Sequence, residues 1–319
     1  MSPRVSELLE MLRFKRPSGS PTESVFVQRF IASIPGATAD ACGNYWVKVG
    51  DDSPILWSSH FDTVHRTDGL QRLTYGHGVV TTDGSHNECL GADCTTGVWL
   101  MRQMILKAVP GLYVFHYGEE VGGIGSAHIA KHTPNRLEDI KFAIAFDRKG
   151  TTEIITHQGW QRTASDEFAE SLAEALGLSL TASDQGTFTD TANYTGLVSE
   201  CTNLAVGYYS QHSVHEYQDV HFACRLLDAI LKADFSKLVA VRDPAEEGWD
   251  DWLGSNRYTS NRIYERDQWP EDDATSVSLA NYVKQNPTAV ADYLEALGIG
   301  IKDIEDGLYG SDAPPWHRY

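Results

Sequence analysis

From residue 44 to about residue 235 the sequence alternates short apolar runs with stretches of helical periodicity, and few folds can absorb that pattern. The runs at 44–49, 54–59, 111–117 and 141–146 are apolar and bounded by glycine, proline or aspartate, which marks them as strands. Between them, residues 95–108 set Val98, Met101, Ile105 and Leu106 at helical spacing. The pattern predicts an α/β fold, a mixed, mostly parallel central sheet with helices on both faces. Sheets of that kind place their sites beyond the carboxyl ends of the strands. Further helices are expected at 3–14, 22–34 (capped by Thr22), 124–131, 166–176 (stopped by Gly177) and 219–235. Further strands are expected at 78–82, 151–156, 197–200 and 203–206, and the strands at 44–49 and 54–59 read as a pair around the turn Gly50-Asp51-Asp52.

Composition changes after residue 240. Residues 1–240 are expected to form the catalytic α/β domain and 241–319 a C-terminal appendage. The appendage opens with the acidic linker DPAEEGWDDWLGSN and carries short helices at 276–285, 287–297 and 301–308. It could cover a cleft or mediate self-association, making a homo-oligomer.

Of the 319 residues, 41% are hydrophobic and 22% charged, the balance of a globular chain in water. No apolar run approaches the ~20 residues that span a bilayer, so no membrane partner is expected. The N-terminus lacks the unbroken apolar core of a signal peptide, and the five cysteines include no C-x-x-C pair. A cytoplasmic setting follows as the expectation. The formal charge of −18, with no segregated basic run, argues against a nucleic-acid partner.

The acids and histidines fall where the strands end. Ser58-Ser59-His60-Phe61-Asp62 closes the run at 54–57, and Gly91-Ala92-Asp93 precedes the helix at 95. His116-Tyr117-Gly118-Glu119-Glu120 follows 112–115, and Phe146-Asp147-Arg148 follows 142–145. His212-Ser213-Val214-His215-Glu216 closes the series. Each piece has a plain alternative: a core histidine bonded to a neighbour, a solvated Glu-Glu, an aspartate capping a helix. In this order on one sheet edge, they form a set suited to metal. Zinc takes imidazole nitrogen and carboxylate oxygen and keeps a position open for water. Two ions ~3.5–4 Å apart can clamp a reacting group, and a carboxylate behind a ligating histidine fixes its ring.

The order H-x-D, G-A-D, E-E-x-G-x-x-G-S, D, H-S-x-x-E over residues 20–235 resembles the superfamily of co-catalytic zinc exopeptidases, aminopeptidases and related carboxypeptidases, dipeptidases and deacylases. The resemblance implies that His60, Asp93, Glu120, Asp147 and His212 hold two divalent ions, zinc with cobalt or manganese as alternatives. It makes Asp93 the bridge, Asp62 the carboxylate behind His60, and Glu119 the general base. It implies a peptide or peptide-like amide as substrate. His215 competes with His212 as last ligand or lies in the pocket; Asp190 and His157 are candidate substrate contacts; His65 and His116 have no matched role. One departure stands out: Cys94 follows the bridging aspartate where the family carries Asp or Asn. Only 64 residues separate Asp147 from His212, too few for the lid domain of the carboxypeptidase branch beside the predicted elements, so the compact aminopeptidase-like branch fits. Two other readings stay open, an amidohydrolase or deacylase acting on a small N-acylated or aminoacylated metabolite, and a metal-stabilised binding protein without catalysis.

Overall fold

The computed structural model describes residues 2–85 and 87–245, together with Pro287. Eight strands build the central sheet: β1 (Thr38–Ala39), β2 (Tyr45–Val49), β3 (Ile55–His60), β4 (Gly111–His116), β5 (Phe142–Arg148), β6 (Glu153–Ile155), β7 (Thr181–Ser183) and β8 (Glu200–Ala205). Their spatial order is β7-β6-β8-β5-β3-β4-β2-β1. The middle four, β8, β5, β3 and β4, run parallel; β6 against β8, β2 against β4 and β1 against β2 are antiparallel. Every residue of β3 and β8 is buried, as in central parallel strands covered on both faces.

The helices are α1 (Pro3–Met11), α2 (Pro21–Phe30), α3 (Ala92–Leu106), α4 (Ile124–His132), α5 (Asp166–Leu176) and α6 (Val220–Ile230). Strand residues alternate between two apolar layers. Trp57, Tyr113 and Ile144 join the larger one with α1, α2, α3, α5 and α6, whereas Leu56, Val114 and Ala143 join the other with Ile129 of α4. Helix α3 lies so close to the sheet that a Cβ at Gly97 would stand 2.3 Å from the Phe146 carbonyl oxygen and 2.6 Å from Ser59 Oγ. Only glycine allows that approach, and it brings the start of α3 onto the ends of β3 and β5.

The structure departs from expectation in pairing. β2 and β3 do not pair; β4 lies between them, with Val114 facing Trp46 on one side and Ser58 on the other. Residues 50–54 therefore cross two strand spacings of ~4.8 Å each instead of turning tightly. A β3 buried along its whole length is better covered by parallel neighbours on both edges than by a half-exposed antiparallel one. The two strands expected at 197–206 are the single strand β8, and the helix expected to run to 235 ends at Ile230. Ser20, not Thr22, caps α2: its Oγ accepts from the Glu23 amide at 3.1 Å while the Glu23 carboxylate accepts from the Gly19 amide at 2.8 Å. The α/β body also runs past residue 240, because the Val241 and Arg242 amides bond Glu200 Oε1 at 2.8 and 3.1 Å and Arg242 is buried. The appendage's short helices lie outside the described residues, apart from Pro287.

Burial pushes the Glu23 carboxyl up to about 7, the nearby Arg16 only partly opposing it. An acid whose folded value is raised binds more protons folded than unfolded, so its burial costs stability as pH rises from about 4 through about 7. Glu23→Gln keeps an acceptor for the Gly19 amide and removes the titration. The variant should melt above wild type at pH 8.5 and close to it at pH 5; equal melting offsets at both pH values would contradict this account.

Candidate metal centre

The parallel strands deliver their last side chains to one edge. His60 is the final residue of β3, and Asp147 is the penultimate residue of β5, which pairs with β3. Glu119 and Glu120 follow β4 on the other side of β3. Asp93 lies at the entry to α3, where its own torsions (φ −75°, ψ 109°) and those of Cys94 are not helical. The Gly91 and Ala92 amides at 2.8 Å, and that of Asp93 at 3.1 Å, all donate to the buried Glu216 carboxylate. Gly91 is required there: its φ is 71°, and a Cβ would stand 2.6 Å from His65 Cε1. The Asp93 carboxylate, freed from capping the helix, points at two histidines instead.

His60 Nε2 stands 3.1 Å from Asp93 Oδ1, 3.4 Å from Asp147 Oδ1 and 4.0 Å from Glu119 Oε2. Its other nitrogen, Nδ1, faces Asp62, 3.3 Å from Oδ1 and 3.2 Å from the carbonyl oxygen. His212 Nε2 stands 3.2 Å from Asp93 Oδ2 and 3.3 Å from Glu120 Oε1. The two histidines thus approach the two oxygens of one carboxylate. Among the described residues, three groups have ligand atoms within 4.8 Å of one another: His60, Glu119 and Glu120; Asp93, Glu120 and His212; and His60, Cys94 and Asp147.

Electrostatics shows the crowding. Burial and the Asp93 charge push Glu120 up to about 7 and Asp147 up to about 6, and burial with Asp147 and Glu120 carries Glu119 well above the usual carboxylate range. Burial opposes charge on both histidines, but the Asp147 charge lifts His60 well above its ordinary value, and the close Asp93 and Glu120 carboxylates lift His212 to about 11. Acids held this close in a buried place call for positive charge between them. Glu120 Oε1 is buried and accepts no well-aligned hydrogen bond, although His212 Nε2 lies 3.3 Å away. An unpartnered buried carboxylate oxygen within 4.8 Å of an imidazole nitrogen and an Asp93 oxygen suits a shared cation, so the residue set fits divalent metal.

The partners of these residues were less visible in the sequence. Asp62 does more than face His60: its two oxygens accept the Glu119 and Glu120 amides at 3.1 and 3.2 Å, so one carboxylate orients the histidine and the Glu-Glu pair together. Asp147 is held by Thr189 Oγ1 on Oδ2 at 2.7 Å, by the Tyr208 hydroxyl on its carbonyl oxygen at 2.8 Å, and by Asn203, which bonds its amide and carbonyl, each at 2.9 Å. Beneath them the fully buried Arg16 donates to the Phe61 carbonyl and to Thr95 Oγ1, both at 2.8 Å. It joins the segment of His60 and Asp62 to that of Asp93. Asp62, two residues after His60, and Glu216, three residues after Ser213, had a local signal.

Cys94 packs neutrally. Its buried Sγ donates to the Phe146 carbonyl at 2.8 Å, and burial, then the Asp147 charge, push the thiol well above its usual value. The remaining candidates do not line the cavity. Asp190 is buried, with Oδ2 3.3 Å from His116 Nδ1, and does not line the cavity. His157 sits on a small hairpin, its Nδ1 3.0 Å from Thr156 Oγ1. His215 is exposed, and the ring of His65 is engaged by Thr63 and the Cys89 carbonyl. The cavity itself, about 70 Å³, is lined by Asp93, Glu119, Glu120, Asp147 and His212 together with Arg148, Lys149, Thr187, Phe188, Tyr208 and Gln211. Residues 148–211 are accounted for by β6, the hairpin, α5, β7, β8 and their connections, with no separate lid among them.

No family profile matches the sequence, and no curated protein matches it. Solved structures do. An aminopeptidase PepT from Bacillus cereus superposes with a TM-score of 0.59 at 16% identity, covering 72% of this chain and 97% of its own. A tripeptidase from Staphylococcus aureus gives 0.59 at 16%, covering 72% and 96%. The TET1 peptidase of Pyrococcus horikoshii, which can assemble into a tetrahedron or a large octahedral shell, gives 0.57 at 16%, covering 73% and 100%. At such identity the likeness establishes the α/β fold.

Proposed function

We propose that this chain is a two-metal hydrolase of peptide or peptide-like amide bonds, aminopeptidase-like, of the co-catalytic zinc exopeptidase kind. The observation that carries the reading is the placement of His60 and His212 on the two oxygens of Asp93, each with its own further carboxylate, Asp147 and Glu120. His60 and Asp147 would hold one ion, Glu120 and His212 the other, and Asp93 both. The fold shared with peptidases from three organisms agrees with it. Zinc suits the nitrogen and oxygen donors, with cobalt or manganese as substitutes.

When bound, the ions polarise the scissile carbonyl and acidify water. The chain's residues do the rest. Glu119 is turned into the gap beside His60, its proton affinity raised by burial and by neighbouring acids. It takes the proton from the attacking water and returns it to the leaving amine nitrogen. Asp62 holds the His60 ring and the backbone of Glu119 and Glu120 in register, so base and ligands keep their relative places. Asp62→Asn replaces one acceptor oxygen by a donor facing an amide; metal affinity, followed by competition with a chromogenic chelator, should weaken by about 10- to 100-fold. Unchanged affinity would remove Asp62 from this role.

The test of the reading is metal content by mass spectrometry together with hydrolysis of a panel of aminoacyl amides and N-acyl amino acids. Close to two ions per chain with release from the aminoacyl amides supports it. Release from the N-acyl amino acids alone supports the deacylase alternative, which the unmatched 16% identity leaves open to the same site chemistry. Failure to take up metal on titration removes both. A homo-oligomer and a cytoplasmic setting remain proposals, the first testable by light scattering.

A further inference from the structure

Two cations line the cavity beside the metal-ligand residues, and they differ in standing. Arg148 is buried, and its guanidinium is committed to Glu153, Nε at 2.9 Å and Nη2 at 2.8 Å from Oε2. Lys149 is exposed and has no carboxylate partner among the described residues. Lys149 follows directly on the end of β5, two residues after Asp147, and lines the same cavity. The other rim residues, Thr187, Phe188, Tyr208 and Gln211, carry no charge.

Charge balance gives Lys149 its weight. The wall holds four carboxylates, those of Asp93, Glu119, Glu120 and Asp147, and two divalent ions would bring it near neutrality. Lys149 is then the uncompensated charge that an incoming substrate meets. Size sets where the substrate meets it. A cavity of about 70 Å³ is well below the ~300–1,000 Å³ of sites that enclose a whole ligand, so it takes the reacting amide and leaves the flanking residues to run over the rim. The free carboxylate of a dipeptide lies about 3.5 Å beyond the scissile bond and that of a tripeptide about 7 Å, within reach of a flexible lysine ammonium on that rim.

We propose that Lys149 receives the C-terminal carboxylate of the substrate, which makes short peptides with a free carboxyl terminus the preferred substrate class. This rests on the reading of the site as an amide hydrolase. The alternative source of the same charge is an acidic side chain on the substrate, and matched probes separate the two.

The experiment uses the full chain loaded with zinc, carrying Glu119→Gln so that binding is read without turnover. Calorimetry compares Leu-Ala, Leu-Ala-amide and Glu-Ala-amide, with Lys149 intact, as Lys149→Met and as Lys149→Arg. Leu-Ala should bind about tenfold more tightly than Leu-Ala-amide, as a charge-assisted contact predicts. The preference should vanish in Lys149→Met and persist in Lys149→Arg. The kcat/KM ratio of the two probes should follow the same course in proteins that retain Glu119. Equal affinities with Lys149 intact, or a preference that survives Lys149→Met, overturns the inference. A gain confined to Glu-Ala-amide overturns it in favour of an acidic side chain. Carboxylate-dependent binding with no hydrolysis of any probe by the Glu119 protein supports the contact and counts against the hydrolase reading alone.

Discussion

Glu119→Gln should lower kcat by about a hundred- to ten-thousandfold and leave the metal content at its wild-type value. The side chain keeps its shape and its place beside His60, 4.0 Å from Nε2, while losing the ability to accept a proton. None of the pairwise geometry around Asp93 depends on it: His60 and His212 reach that carboxylate directly, and Asp147 and Glu120 complete the set. The variant therefore separates the base from the ligands. Steady-state kinetics and metal analysis on the same preparation decide the matter. Full activity with metal bound would assign the proton transfer elsewhere, and lost metal would move Glu119 into the ligand set.

Chelation should have the second large effect, on both activity and stability. An ion present at a thousand times its dissociation constant stabilises the folded chain by about 4 kcal/mol. In a domain of this size each kcal/mol moves Tm by about 2–4 °C, so removing one well-held ion should lower Tm by roughly ten degrees. Here the burial of Glu120 and Asp147 beside Asp93, which raises their proton affinity to about 7 and about 6, adds like-charge repulsion that the ion would relieve. Calorimetry with and without chelator, followed by zinc titration back, reads the shift. A melting curve indifferent to metal would contradict the assignment of these carboxylates as ligands.

What the sequence made legible was the strand ends. His60, Glu119-Glu120 and Asp147 could be placed because each follows an unbroken apolar run, and a parallel sheet brings such ends to one edge. Which strands are neighbours was not written locally: the short spacing between β2 and β3 suggested a pair, whereas β4 sits between them. Pairing depends on how β3 is buried on both edges, a property of the assembled sheet. Asn203 and Tyr208, which also hold Asp147, come from 56 and 61 positions away and carry no motif. Arg16 was equally silent, because a buried arginine looks in sequence like any surface one. Asp190 stood out in the sequence as a candidate substrate contact, and its side chain is buried beside His116 rather than in the cavity wall.

The last ligand sits on a backbone unlike the others. His60 and Asp147 belong to strands, while His212 lies in the connection after Tyr209 with φ of 62°, two residues beyond Ser210 at 54°, and its side chain is 49% exposed. A non-glycine residue in that left-handed conformation costs roughly 1–2 kcal/mol, which a bound ion must offset at one half of the centre and not at the other. On the two-metal reading, the His212 half would therefore hold its ion about tenfold less tightly than it would on a relaxed backbone, and a calorimetric zinc titration would show two unequal steps.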